Sequence, residues 1–307
     1  PIMMEESYLT SVYGNNKLGS IASTLKENNY TTAFFHGGYN GTMGFDNFTR
    51  KIGYQYYYGK DEYNNDEDYD GNWGIFDEPF LQYCVKQMDT LTKPFHAAFF
   101  TLSSHHPYTM PKEHKNKFSK GSLIVHETVS YTDYALKRFF NEASKCDWFE
   151  NTLFIITSDH SGLTESKDFK TQLGLFKIPM IIYHPKMKMN ILSSQYVQQI
   201  DVYPMVIDLL NIENQKIFSF GRSPFAQKEK YYIYYTNGEY LLMIGNYLSK
   251  YKQDGTIELF NVVEDQGLKN NIANQHKEIT QKHIEFTQAF IQQYNNTIIE
   301  NKTTVSK

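Results

Sequence analysis

PFHAAFFTLSSHHPYTMP, residues 94–111, decides how the chain is read. Its first half, Ala97–Leu102 in particular, has the aromatic and apolar character of a buried strand. Two adjacent histidines and a proline then follow. In a parallel sheet the carboxyl ends of the strands are where polar groups are delivered to a shared edge, so His105 and His106 stand where chemistry is placed. Pro107 extends the chain behind them and holds the pair at that edge.

Two more strand-like runs end the same way. TTAFFHGG (31–38) runs into His36 and a glycine loop with Gly37, Gly38, Gly41 and Gly44, which allow close backbone approach to a ligand. NTLFIITSDH (151–160) ends in Asp159 and His160. If the three strands are parallel, the three ends share one edge although they are far apart in sequence. A carboxylate and an imidazole suit zinc or manganese, so Asp159 and His160 are candidate metal ligands; the competing reading is a pair that caps a turn. His36, His105, His106 and the loop residue Asn40 form the candidate substrate-binding set, with imidazoles suited to a phosphate or sulfate oxyanion. For His36 the alternative is a hydrogen-bonded histidine in a flexible loop. His96, His114, His126, His184, His276 and His283 stand outside any motif.

Around these runs, helices and strands alternate: a helix within 18–30, a helix over 77–91 capped by Asp77, a long amphipathic helix over 126–145, a further apolar strand at 178–185 and a helix over 195–211 that Pro204 can kink. The alternation predicts an α/β fold with a mostly parallel sheet covered on both faces. Asn-Gly and Asp-Gly then break residues 230–263 into hairpins of a small antiparallel sheet, and 276–302 forms a closing helix. The expected division is a main unit at 1–225 and a small sheet with its helix at 226–307, within one structural domain. DYDGNWGIFDEPF (68–80) reads as a turn, a buried aromatic at Trp73 and the Asp77 cap. The acidic run 61–70 lacks EF-hand spacing and reads as a solvated loop.

Composition narrows the class. The chain has 307 residues, 40% hydrophobic and 16% aromatic, enough to bury a large core. A net charge of −4 without a basic run gives no electrostatic footprint for nucleic acid. Cys84 and Cys146 lack metal-site spacing and could be one disulfide or two unpaired thiols. No window approaches the roughly 18 apolar residues of a membrane span. The first residue is Pro1, so a fragment of a longer protein is expected.

The chain resembles the extracellular catalytic domains of the lipoteichoic acid synthase-like group in the sulfatase and alkaline phosphatase superfamily. The resemblance rests on residues 30–59, GNWGIFDEPF (71–80), 94–111, YTDYALKRFF (131–140), NTLFIITSDHSG (151–162), QIDVYPMVIDLL (199–210) and FGRSPF (220–225). It implies an alkaline-phosphatase-like α/β/α sandwich and transfer of a phosphoryl-linked head group through a threonine nucleophile and one divalent metal, manganese first, with zinc, magnesium or calcium as alternatives. Asp159 and His160 match the family's metal ligands, and His36 and His105 its phosphate-holding histidines. Nothing here matches the nucleophile or the acidic metal ligand, both expected upstream of Pro1, so the fragment itself is expected to be inactive. The family's glycerol-phosphate synthases carry Asp, Trp and Arg where this chain has Gly38, Met43 and Phe45, which puts glycerol phosphate in question.

The resemblance further implies a phospholipid head group or envelope glycan as substrate, and a monomer. It also implies a full-length protein with N-terminal membrane helices that places this domain on the periplasmic or extracellular side of a bacterial inner membrane. Two alternatives remain open. A sulfatase would need a Cys or Ser in a C/S-x-P-x-R context, which neither cysteine supplies. A non-catalytic binding domain would have no reason to keep all four of Asp159, His160, His36 and His105.

Overall fold

The computed structural model describes residues 6, 8–187, 196–212, 216–226 and 229–305. Its helices are α1 (Ile21–Glu27), α2 (Phe45–Lys51), α3 (Lys60–Tyr63), α4 (Asp77–Thr90), α5 (Val125–Ala143), α6 (Val202–Leu209) and α7 (Lys277–Ile299). The strands are β1 (Thr31–His36), β2 (Tyr56–Tyr58), β3 (Phe95–Phe100), β4 (Phe154–Thr157), β5 (Met180–Tyr183), β6 (Tyr231–Thr236), β7 (Glu239–Ile244), β8 (Tyr247–Lys252) and β9 (Ile257–Asn261).

β1 lies between β2 and β3 in a parallel sheet, with His36 in register with Phe100. Parallel neighbours need crossovers, which α2 supplies from β1 to β2, and α3 with α4 from β2 to β3. Both faces of β1 are covered, which makes its apolar run continuous rather than alternating. Ala33 and Phe35 pack into a core with Phe80, Leu81 and Cys84 of α4 and Phe139 of α5. On the opposite face Phe34 meets Phe45, Tyr54 and Tyr57. The helix before β1 starts where Ser20 and Ser23 close a reciprocal capping box.

β6 to β9 form the expected antiparallel meander. Asn237 and Gly238, both at positive φ (50° and 79°), make the two-residue turn between β6 and β7. α7 closes it by packing Phe290, Tyr294 and Ile298 on Ile233, Leu242 and Ile244. Cys84 and Cys146 are both free thiols.

Five expectations are corrected. The strand at 94–102 is not fully buried: every residue of β3 is half-buried, because among the described strands it is hydrogen-bonded on one edge only, to β1. β5 runs antiparallel to β4 in a separate two-stranded sheet, with its residues alternating between half-buried and exposed. The helix expected over 195–211 starts as α6 at Val202 after one tight turn (Gln199–Asp201), and residue 195 lies outside the described residues. Pro204 falls in its first turn, where the ring displaces no intrahelical bond, so it makes no kink. Asp77 is the first residue of α4 rather than its cap; Phe76 occupies the cap position without a side-chain hydrogen bond.

Candidate active site

The parallel pairing of β1 and β3 sends both histidine loops out from the same sheet edge. At the end of β1, His36 is only 2% exposed and lies nearly flat on Phe45, with centroids 4.5 Å apart and planes 22° apart. Its Nδ1 is 3.4 Å from the Tyr57 hydroxyl. Burial pushes its pKa down to about 4, so at neutral pH the ring is uncharged. Asn40, in the following loop, donates from its amide to both carboxylate oxygens of Glu62 (3.0 and 3.1 Å). Glu62 in turn accepts the Gly59 N–H, which ties the glycine loop to the start of α3. The buried Asn40 Oδ1 has no partner.

Beyond β3, His105 and His106 are exposed. His105 Nδ1 lies 2.7 Å from the carbonyl oxygen of His106. A carbonyl only accepts, so Nδ1 carries the proton and Nε2 is the open ring nitrogen. The Trp73 indole N–H donates to the same carbonyl at 2.6 Å, and its ring stands edge-on to His105 at 4.4 Å. His106 thus contributes its backbone oxygen, while its ring meets Tyr108 edge-on at 5.8 Å.

Asp159 and His160 follow β4, which shares no ladder with β3 among the described residues. Their side chains are 50% and 71% exposed, with Asp159 Oδ2 and His160 Nε2 3.4 Å apart. His160 Nδ1 donates to the Ser161 carbonyl at 2.7 Å, which leaves Nε2 as the free lone pair beside a carboxylate oxygen. The Gln199 amide donates to the carbonyls of Ser158 and Asp159 (2.9 and 2.8 Å) and pins the turn to the segment before α6. This oxygen and nitrogen pair has the donor chemistry of a divalent-metal site. Among the described residues no group of three or more His, Cys, Asp and Glu forms, so the described residues supply two such donors here.

Two residues at this edge carry more than sequence reasoning assigned them. Trp73 is half-buried, with its N–H spent on the histidine loop. Asp77 is fully buried and bonds across to the residues after β3. A carboxylate at a helix start reads as a cap in sequence; only its partners reveal otherwise.

Three known proteins are similar to this chain in sequence or in architecture. Lipoteichoic acid synthase 1 from Bacillus subtilis is 27% identical over 246 residues, covering 74% of this chain and 38% of its own length. The chain therefore spans about two fifths of that protein. Among solved structures, a protein in the alkaline phosphatase superfamily from Vibrio parahaemolyticus superposes with a TM-score of 0.70 at 21% identity, covering 91% of this chain and 73% of that one. The lipoteichoic acid synthase LtaP from Listeria monocytogenes gives a TM-score of 0.67 at 17% identity, covering 91% and 76%. The sulfatase family model matches residues 3–212. With that match over the whole parallel sheet and all three candidate strand ends, the chain belongs to the sulfatase family.

Proposed function

We propose that this chain is part of a metal-dependent phosphotransferase or phosphodiesterase that moves or hydrolyses a phosphoryl-linked head group of an envelope lipid or glycan. The observation that carries the reading is the Asp159–His160 pair. Its imidazole has one nitrogen tethered to a backbone carbonyl and the other free beside a carboxylate oxygen, the arrangement of a metal-binding histidine with its outer support. Asp159 and His160 would hold a divalent cation, manganese first, with zinc, magnesium and calcium as alternatives. Such a cation, when bound, polarises a phosphoryl oxygen and lowers the pKa of a hydroxyl nucleophile.

The histidines divide the remaining work. His36, uncharged and buried, offers one ring N–H to a phosphoryl oxygen without bringing a charge. His105 presents its open Nε2 at the surface, where a phosphoryl group could meet it. His106 and Asn40 line the same loops. The threonine nucleophile and a further metal ligand are supplied by polypeptide outside these 307 residues, in a membrane-anchored protein whose domain faces the periplasm or cell exterior as a monomer. The similarity to lipoteichoic acid synthases favours phosphoryl over sulfuryl chemistry.

Manganese calorimetry on this chain and on Asp159→Ala tests the metal pair, and a longer polypeptide including the preceding segment tests turnover. Manganese binding that disappears in Asp159→Ala, with manganese-dependent cleavage of bis(p-nitrophenyl) phosphate by the longer form, supports the proposal. Cleavage of p-nitrophenyl sulfate alone would make it a sulfatase. Absence of metal binding by either form would leave a binding module.

A further inference from the structure

Residues 70–77 touch both histidine-bearing strand ends. On the β1 side, the Ile75 N–H donates to the Gly37 carbonyl at 3.0 Å, next to His36. On the β3 side, Asp77 Oδ1 accepts the N–H groups of Leu102 and Ser103 at 2.9 and 3.0 Å. Asp77 Oδ2 accepts the Thr132 hydroxyl of α5 at 2.7 Å, and the Asp77 N–H donates to Ser103 Oγ at 2.9 Å. The His105 N–H then bonds back to the Leu102 carbonyl at 3.0 Å, so the histidine loop is built on the two residues that the carboxylate holds.

Trp73 approaches that loop from its other end. Asp70 Oδ1 accepts the N–H groups of Asn72, Trp73 and Gly74 (2.7, 2.8 and 3.1 Å), which closes the turn from which the indole projects. The indole N–H and His105 Nδ1 share the His106 carbonyl as acceptor.

An aspartate at the first residue of a helix favours the helix dipole while remaining in water. Asp77 is instead completely buried, which is costly for a carboxylate unless its oxygens are satisfied. Burial raises its pKa, while the donors from Thr132, Ser103 and Leu102 oppose that rise. The donors are therefore the compensation for burial, and two of them are the N–H groups from which the His105 loop departs.

We propose that Asp77 and Trp73 are positioning residues for His105: Asp77 fixes the backbone where the loop leaves β3, and Trp73 fixes the carbonyl that keeps the proton on Nδ1 and Nε2 open. What His105 would bind rests on the phosphoryl reading above; how it is held does not.

Ring-nitrogen correlation spectra of ¹⁵N-histidine-labelled chain at pH 7.5 test this, with His105 assigned through the loss of its signals in His105→Gln. The wild type should show His105 as the Nδ1–H tautomer. Trp73→Phe, which keeps an aromatic ring but removes the donor, and Asp77→Ala should both shift it toward the tautomer mixture of a free imidazole. Asp77→Asn should restore the wild-type pattern, since its oxygen accepts both N–H groups and its amide donates to Thr132. The buried His283 signals report that the fold is intact in each variant. Unchanged His105 signals in folded Trp73→Phe and Asp77→Ala would overturn the proposal; if Asp77→Ala does not fold, Trp73→Phe decides. Inorganic phosphate should move the wild-type His105 signals and bind severalfold more weakly to Trp73→Phe. No phosphate response in the wild type, with the tautomer shifts intact, would remove the phosphoryl reading and leave the positioning role standing.

Discussion

Gly38 leaves room for the His36 ring: a Cβ at position 38 would lie 2.7 Å from Cε1 of His36, on the ring that stacks on Phe45. The same Cβ would meet the Trp73 carbonyl oxygen at 3.0 Å, so two neighbours confine it. Gly38→Ala should displace the imidazole and cost about 1–3 kcal/mol by overpacking. The displaced ring should titrate closer to an ordinary histidine than the value of about 4 that burial imposes. NMR titration of His36 and a denaturant midpoint check both; a variant titrating like the wild type would refute the argument.

Acid should unfold the chain partly through its buried histidines. His36 and His283 are both held down to about 4, each chiefly by burial. Between about pH 6.5 and 4 the unfolded chain binds these protons and the folded chain does not, so stability rises with pH across that window. The contribution is complete above about pH 6.5 and is lost as pH falls toward 4. Urea midpoints at pH 7 and pH 4.5 should therefore differ in favour of pH 7. His283→Gln, which gains no proton, should make the decline shallower.

Gly74→Ala should be among the more damaging single-methyl additions. Its Cβ would lie 2.6 Å from the carbonyl carbon and oxygen of Gly37 and 2.6 Å from Leu102 Cδ1. Backbone on one side cannot yield as a side chain would, so the 73–77 segment must move away from the end of β1. A loss of about 2–3 kcal/mol is expected, read from thermal or urea unfolding. A midpoint equal to wild type would show that this contact carries no constraint.

Gln199→Ala should separate metal affinity from stability. The Gln199 amide holds the Ser158 and Asp159 carbonyls, but the turn it supports is exposed. Global stability should change by less than about 1 kcal/mol, while manganese affinity should fall by about tenfold, as for loss of an outer support at a metal site. Calorimetry alongside a denaturation curve distinguishes the two effects.

Much of the fold could be read in the chain itself because its signals are local. Apolar runs of strand length ending in His36, in Thr101 and Leu102, and in Asp159 mark β1, β3 and β4. Asn237-Gly238 marks a hairpin because both residues tolerate positive φ. Pairing partners are not local. β5 looks like another parallel strand by composition but runs antiparallel to β4, and nothing in IPMIIYHP states a direction. Burial is not local either: the six residues of β3 read as core and are half-buried, because exposure depends on what lies along the other edge.

The sequence by itself determined the class and the three strand ends where His36, His105 and Asp159–His160 stand, since each follows from residue type and spacing along a few residues. Tertiary structure decided what those residues can do. Burial against Phe45 makes His36 uncharged, the shared His106 carbonyl sets the tautomer of His105, and a fully buried carboxylate turns Asp77 from an apparent helix cap into the support of a loop. The physical reason is that protonation, tautomer and desolvation depend on atoms brought close in space, and those atoms come from segments as far apart in the chain as Asp77 and Thr132.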